Sequence, residues 1–264
     1  MSDQFEAVLT RSRRLSASTM DFRFQRTSDV AVAYEPGQFF RFTFEDQRGL
    51  FKRSYSLCNF TDAEPSEMDL VISTVEGGRA SELLFMSEPG LKTQVMGPYG
   101  RLLIPKMLPD RLFLVATSVG IAPFLPMLSA LKNRSQKVIL LFGVRDRSEF
   151  LYQQELLRLD WPGLTLVVCY SRTVTDLESY EREGHVTAHI QSFAPNPDTD
   201  HFLICGNPNM IDDCYGLLKA DGFSARQVVR EKYLFAREEK PLQKPALTDE
   251  QKALIAAKLK KHSR

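Results

Sequence analysis

Between residues 5 and 96 the chain is written in short runs of alternating apolar and polar positions, near 5–10, 20–26, 38–44, 51–57, 68–75 and 91–96, separated by polar or Gly/Pro-containing connections. A period of two is the signature of a strand with one buried face. The clearest run is Gln38-Phe39-Phe40-Arg41-Phe42-Thr43-Phe44, which follows the turn signal Pro36-Gly37. Six such runs predict an antiparallel β-barrel domain over residues 1–106, closed on itself, with the phenylalanines as its core.

After residue 107 the pattern changes. Arg111 to Ala116 is a continuous apolar run of the kind buried on both faces of a parallel sheet, and 138–142, 164–170 and 201–205 repeat it. Helical periodicity falls between them, near 121–132, 148–159, 186–193 and 208–220, and Val228 to Phe235 reads as a last strand. The prediction is a doubly wound α/β domain over residues 107–235, in which ligands bind at the carboxyl ends of the strands. Residues 236–264 read as a Pro/Lys/Glu-rich linker and a helix that starts at the capping box Thr248-Asp249-Glu250-Gln251 and runs to about Lys261.

Composition narrows the function classes. The 264 residues suffice for two cores, and a net charge of +1 supplies no global field for nucleic acid or a membrane surface. No apolar run reaches the roughly 18 residues of a membrane span, and no secretory signal is evident, so a cytoplasmic protein is expected, with no nucleic-acid or membrane partner and a monomeric state. The four cysteines, Cys58, Cys169, Cys205 and Cys214, form no Cys-x-x-Cys pair. No metal site is expected, either from them or from His185 and His189, which share the spacing of a helical face but lack a zinc-binding pattern.

The candidate chemistry begins at Arg53-Ser54-Tyr55-Ser56. On a strand these side chains alternate, presenting a guanidinium and a ring on one face and two hydroxyls on the other. Further along come Gly77-Gly78-Arg79-Ala80-Ser81, Gly97-Pro98-Tyr99-Gly100, Val119-Gly120-Ile121-Ala122-Pro123-Phe124 and Cys205-Gly206-Asn207-Pro208. This succession resembles the ferredoxin-NADP reductase family over residues 5–235. The resemblance implies FAD as cofactor and NADP(H) as its redox partner. It places Arg53 and Ser81, with the neighbouring backbone of Gly78 and Ala80, at the flavin pyrophosphate, counts Ser54 among the cofactor-binding residues, packs Tyr55 on the flavin and sets the Ser56 hydroxyl near N5. Thr117, Gly120 and Pro123 would form the dinucleotide turn. Cys205 and Glu231 join Ser56 as the polar groups at the nicotinamide, and Tyr233 would cover the flavin, with Phe235 the competing aromatic.

Two departures stand out: where the family pattern has a glycine this chain has Ser118, and where it has a small polar residue this chain has Val119. Ser171 and Arg172, with Arg145, match positions that read the 2′-phosphate and favour NADPH, whereas His185 stands where some bacterial members carry a further basic residue and Arg182 lies nearby. The expected activity is electron exchange between NADP(H) and ferredoxin or flavodoxin, bound transiently. The alternatives are a reductase that feeds an oxygenase or reduces free flavins or quinones, and a non-catalytic redox sensor. FMN is the alternative to FAD.

Overall fold

The computed structural model describes residues 3–60, 63–132 and 134–233. Phe235 and the 236–264 extension lie outside the described residues.

Six antiparallel strands make the first sheet: β1 (Asp3–Arg14), β2 (Thr19–Arg26), β3 (Phe39–Asp46), β4 (Gly49–Ser56), β5 (Glu67–Ser73) and β6 (Lys92–Tyr99), in the order β4-β3-β6-β1-β2-β5. Alternation sends Phe40, Phe42 and Phe44 of β3 inward against Phe22 and Phe24 of β2, and the Phe24 and Phe42 rings meet at 5.5 Å. The barrel closes less completely than the pattern predicts. Edge strands β4 and β5 share no ladder among the described residues; beyond β4, Cys58 N–H donates to Asp69 C=O on β5 at 2.8 Å. Past Ser56 the chain keeps the β3 register for one more residue, Leu57 N–H donating to Gln38 C=O at 3.3 Å, and Asn59 then bonds β5 through Glu67 C=O and Asp69 N–H, so a few loop bonds replace a ladder at this seam.

The second sheet is parallel, with β7 (Arg111–Thr117), β8 (Lys137–Val144), β9 (Leu164–Tyr170), β10 (Glu181–Glu183), β11 (Asp200–Gly206) and β12 (Val228–Lys232) in the order β10-β9-β8-β7-β11-β12. The predicted 208–220 helix forms as α5 (Pro208–Ala220), started by Asn207, whose side chain accepts from the amides of Asn209 and Met210. The others are shorter. The 121–132 segment divides into a 3₁₀ turn over Ser118–Ile121 and α2 (Phe124–Leu131), and the 148–159 segment into a turn over Arg147–Glu149 and α3 (Gln153–Leu157). In the 186–193 segment, α4 (Val186–Ile190) begins after His185, so His185 and His189 are not two members of one helix. Strand β10, three residues of Glu-Arg-Glu, carries no apolar alternation to announce it.

Val71, Cys58 and Leu102 of the first half are buried in one cluster with Leu112, Phe124, Leu125, Met127 and Leu151 of the second. Gly37 lies on this seam with φ +102°, and a Cβ there would meet the Leu102 carbonyl oxygen at 1.9 Å and Met127 Cε at 2.4 Å. Polar contacts clasp the same seam. Ser16 and Ser18 donate to the Glu149 carboxylate at 2.9 and 3.0 Å, and Arg13 donates to Glu155 at 3.0 Å.

Candidate active site between the two sheets

Strand β4 delivers its residues as the alternation requires. Phe51 is buried, Arg53 and Tyr55 are half-buried on the same side, Ser54 is exposed, and Ser56 is buried where the strand ends. Tyr55 packs edge-on to Phe42 at 5.9 Å, and burial pushes its phenol far above the ordinary value, so it serves as an uncharged ring.

The first helix, α1 (Arg79–Phe85), lies beside this strand. It begins after Gly78, so Ser81 is inside the first turn rather than capping it. The Ser81 hydroxyl donates back to the Gly78 carbonyl at 2.8 Å and accepts from Val75 N–H at 3.2 Å. A Cβ on Gly78 would meet Val75 Cβ at 2.7 Å and that hydroxyl at 2.8 Å, which explains the glycine. Arg79 fixes the helix to the β3–β4 hairpin. Its Nε donates to Asp46 Oδ2 at 2.6 Å, its Nη2 reaches Asp46 Oδ1 and the Gly49 carbonyl, and its guanidinium lies 4.3 Å from the Phe51 ring centre. Arg79 beside Asp46 brings that carboxyl down to about 2. Arg53 stands 5.4 Å from the same ring. Two guanidiniums, a glycine turn, a half-buried phenol and a hydroxyl thus line one edge of the barrel. This donor set fits a flavin dinucleotide: cations and backbone amides suit a pyrophosphate, and an aromatic with a hydroxyl suits a planar ring with polar edges.

The carboxyl ends of β11 and β12 face that edge. Parallel register sets Glu231 beside Cys205, and Tyr233 N–H donates to the Gly206 carbonyl at 3.1 Å. Ser56 Oγ donates to Glu231 Oε1 at 3.1 Å across 175 positions of sequence, and the Tyr233 side chain reaches both Ser56 and Cys205. The structure therefore gathers Ser56, Cys205, Glu231 and Tyr233 into one cluster made from both halves. Burial dominates its electrostatics: it pushes the Glu231 carboxyl up, an effect the Ser56 hydroxyl opposes, and holds the Cys205 thiol and Tyr233 phenol well above their ordinary values. Cys205 is a neutral thiol here.

The turn after β7 is built by close approach. A Cβ on Gly120 would meet the Cys205 carbonyl oxygen at 2.4 Å, and one on Gly206 would meet Thr117 Oγ1 at 2.4 Å. Thr117 Oγ1 also accepts from Asn207 N–H at 3.0 Å, and Pro123 is buried at the start of α2. Ser118 takes the left-handed conformation, φ +51°, that glycine adopts without strain, and its side chain is exposed.

At the other edge the ladder runs one residue past β8 and two past β9. Ser171 N–H donates to Val144 C=O and Arg172 N–H to Arg145 C=O, both at 3.0 Å, bringing Arg145, Ser171 and Arg172 side by side in solvent. Arg172 Nη1 donates to Asp146 Oδ2 at 3.1 Å. Arg182 is spent on the Ser179 and Glu181 carbonyls, and His189 bonds the Glu183 carbonyl. Asp46 and Asp146 are absent from the motif reading, because each matters only through a partner distant in sequence.

Two domain families match the chain: the oxidoreductase FAD-binding domain over residues 6–104 and the oxidoreductase NAD-binding domain over residues 114–215. A ferredoxin--NADP reductase B of Sorangium cellulosum is 29% identical over 243 residues, spanning 88% of this chain and 98% of that relative. The toluate 1,2-dioxygenase electron transfer component of Pseudomonas putida is 24% identical over 237 residues, spanning 87% of this chain and 67% of its own length. Among solved structures, a ferredoxin NADP+ reductase from Neisseria gonorrhoeae with bound FAD and NADP superposes with a TM-score of 0.75 at 22% identity, covering 87% of this chain and 98% of that one. No helix among the described residues is long and apolar enough to cross a membrane.

Proposed function

The chain belongs to the ferredoxin-NADP reductase family of FAD- and NAD(P)-binding oxidoreductases, and from that premise we propose that it exchanges electrons between NADP(H) and a ferredoxin or flavodoxin. In this reading residues 1–106 hold the flavin, 107–235 hold the nucleotide, and 236–264 form an extension. The observation that carries the proposal is the four-residue cluster spanning both halves, which puts hydroxyl, carboxyl, thiol and phenol at the meeting point of the two binding edges.

When bound, FAD supplies the two-electron acceptor and the one-electron donor that join a nicotinamide to a single-electron carrier. The protein supplies the rest. Arg53 and Ser81, with the neighbouring backbone of Gly78 and Ala80, bind the pyrophosphate, and Tyr55 packs on the ring. Ser56 Oγ holds a proton against Glu231 Oε1. Cys205, neutral and polarisable, lets a nicotinamide approach the end of β11 without adding charge. Tyr233 excludes water until the nucleotide displaces it. Thr117, Gly120 and Pro123 shape the dinucleotide turn, and Arg145, Ser171 and Arg172 receive the adenosine phosphate.

The test is anaerobic reduction of the purified, flavin-loaded protein, following the visible band with NADPH and NADH in separate cuvettes, then adding ferredoxin, flavodoxin or a quinone to the reduced form. Rapid bleaching by NADPH and reoxidation by ferredoxin or flavodoxin is the expected result. Bleaching followed by reoxidation only with small acceptors favours the second reading, a reductase component of an oxygenase or a quinone reductase, which the likeness to the dioxygenase electron transfer component supports. Flavin that neither nucleotide bleaches defeats both in favour of a sensor.

A further inference from the structure

Resting on the reading of Ser171 and Arg172 as the adenosine-phosphate site, we propose that Asp146 is the specificity-determining residue that holds the preference for NADPH over NADH down, by competing with the 2′-phosphate for Arg172. The carboxylate sits at the carboxyl edge of the sheet, two residues past β8, beside the three residues that the extended ladder aligns. It is fixed from two sides. Oδ1 accepts from Ser148 N–H at 3.1 Å and Ser148 Oγ at 2.5 Å, while Oδ2 accepts from Arg172 Nη1 at 3.1 Å. A carboxylate so anchored does not swing away when a ligand arrives. Its side chain is 29% exposed, against 64% for Arg172, so a ligand in solvent can reach both.

The two nucleotides meet this arrangement differently. A 2′-phosphate carries nearly two negative charges and three acceptor oxygens. To bind Arg172 it must share the guanidinium with a fixed carboxylate and face that charge at short range. A ribose 2′-hydroxyl is both donor and acceptor: it can donate to Asp146 and accept from Arg172 or Ser171, and a carboxylate in this role is the usual partner of an unphosphorylated ribose. One aspartate thus penalises one ligand and rewards the other, as specificity by repulsion requires.

The test measures binding without turnover. Calorimetric titration of the flavin-loaded protein with adenosine 2′,5′-bisphosphate and adenosine 5′-monophosphate gives the selectivity of the site as a ratio of Kd values. Asp146→Asn keeps an acceptor for the Ser148 amide but removes the charge, and Asp146→Ser keeps a small oxygen. Both should raise selectivity for the bisphosphate about tenfold, less at high salt, and shift the NADPH/NADH ratio of kcat/KM the same way through KM. Arg172→Ala should lower selectivity and, in the double variant with Asp146→Asn, shrink the aspartate's effect to less than twofold. If Arg172→Ala lowers selectivity but neither Asp146 variant raises it, Asp146 is not the determinant and the phosphate reading stands. If Arg172→Ala leaves selectivity unchanged, the phosphate reading itself fails and this inference with it.

Discussion

The largely enclosed cluster at the ends of β4, β11 and β12, where Ser56 and Cys205 are buried and Glu231 and Tyr233 half-buried, and the exposed edge beyond β8 and β9 are both proposed to meet one nucleotide, yet they are built on opposite principles. Ser56, Cys205, Glu231 and Tyr233 come from both halves of the chain, and burial dictates their protonation. Arg145, Ser171 and Arg172 come from one sheet edge, lie in solvent and are arranged by local ladder bonds and an ion pair. In a desolvated cluster a change of one atom alters charge and hydrogen bonding together, because little water is present to compensate. At an exposed edge, water and salt screen each term, so selectivity accumulates from modest increments. On the proposed reading, the first region carries the chemistry and the second the choice of ligand.

Substitutions can break this contrast or refine it. The largest effect is expected at Glu231: Glu231→Gln should lower kcat about 100-fold, read by stopped-flow flavin reduction. It should also stabilise the protein. The folded carboxyl titrates above its unfolded value, so its contribution to stability is present below the unfolded value and is lost as pH rises through the folded one. Differential scanning calorimetry should therefore place Tm of Glu231→Gln above the parent at about pH 8, with the difference gone by about pH 4. A parent as stable as the variant at high pH would place the two regions under the same rules. Ser56→Ala, which removes the donor to Glu231, should cost roughly tenfold in the same kinetic assay and move the pH profile of reduction upward, since the hydroxyl holds the Glu231 value down.

Smaller effects test the supports. Asp46→Ala breaks the fork that ties α1 to the β3–β4 hairpin. It should cost about 1 kcal/mol in denaturant unfolding and speed flavin loss on dilution, while leaving selectivity between NADPH and NADH where it was. Ser118→Gly should give the least change. Relief of a left-handed serine, about 1–2 kcal/mol, is offset by glycine's entropy, about 0.5–1 kcal/mol, for a net gain of about 0.5 kcal/mol. A loss of stability there would mean that the turn after β7 is set by something other than backbone strain.

Much of the architecture was legible because it is written locally. The phenylalanine alternation of residues 38–44 and the apolar runs of β7, β8, β9 and β11 need only a periodicity to be read. Ser56, Cys205, Glu231 and Tyr233 were named from motifs, and their convergence follows from the parallel register of β11 and β12 and the bond of Ser56 to Glu231. What escaped is what depends on topology. The pairs Arg79–Asp46 and Arg172–Asp146 lie 33 and 26 positions apart, and the serines that hold Glu149 lie more than 130 away. Charged surface residues carry no periodicity to mark their partners. Strand β10 escaped because its pairing is supplied by β9, which dictates the backbone path regardless of the polar side chains. The incomplete closure of the barrel escaped for a related reason: the switch from the β3 register at Leu57 to bonds with β5 at Cys58 and Asn59 is decided by Glu67 and Asp69, which no count of strands includes.

The apolar seam containing Val71, Cys58, Leu102, Phe124 and Met127, pinned at Gly37, turns two sheets into a single mechanical block. Prising them apart would bring these apolar side chains into water, so separating the sheets carries the cost of opening a core. Tyr233 stands half-buried at the rim of that seam, so on the proposed reading a nucleotide enters by displacing one ring and the two sheets stay together.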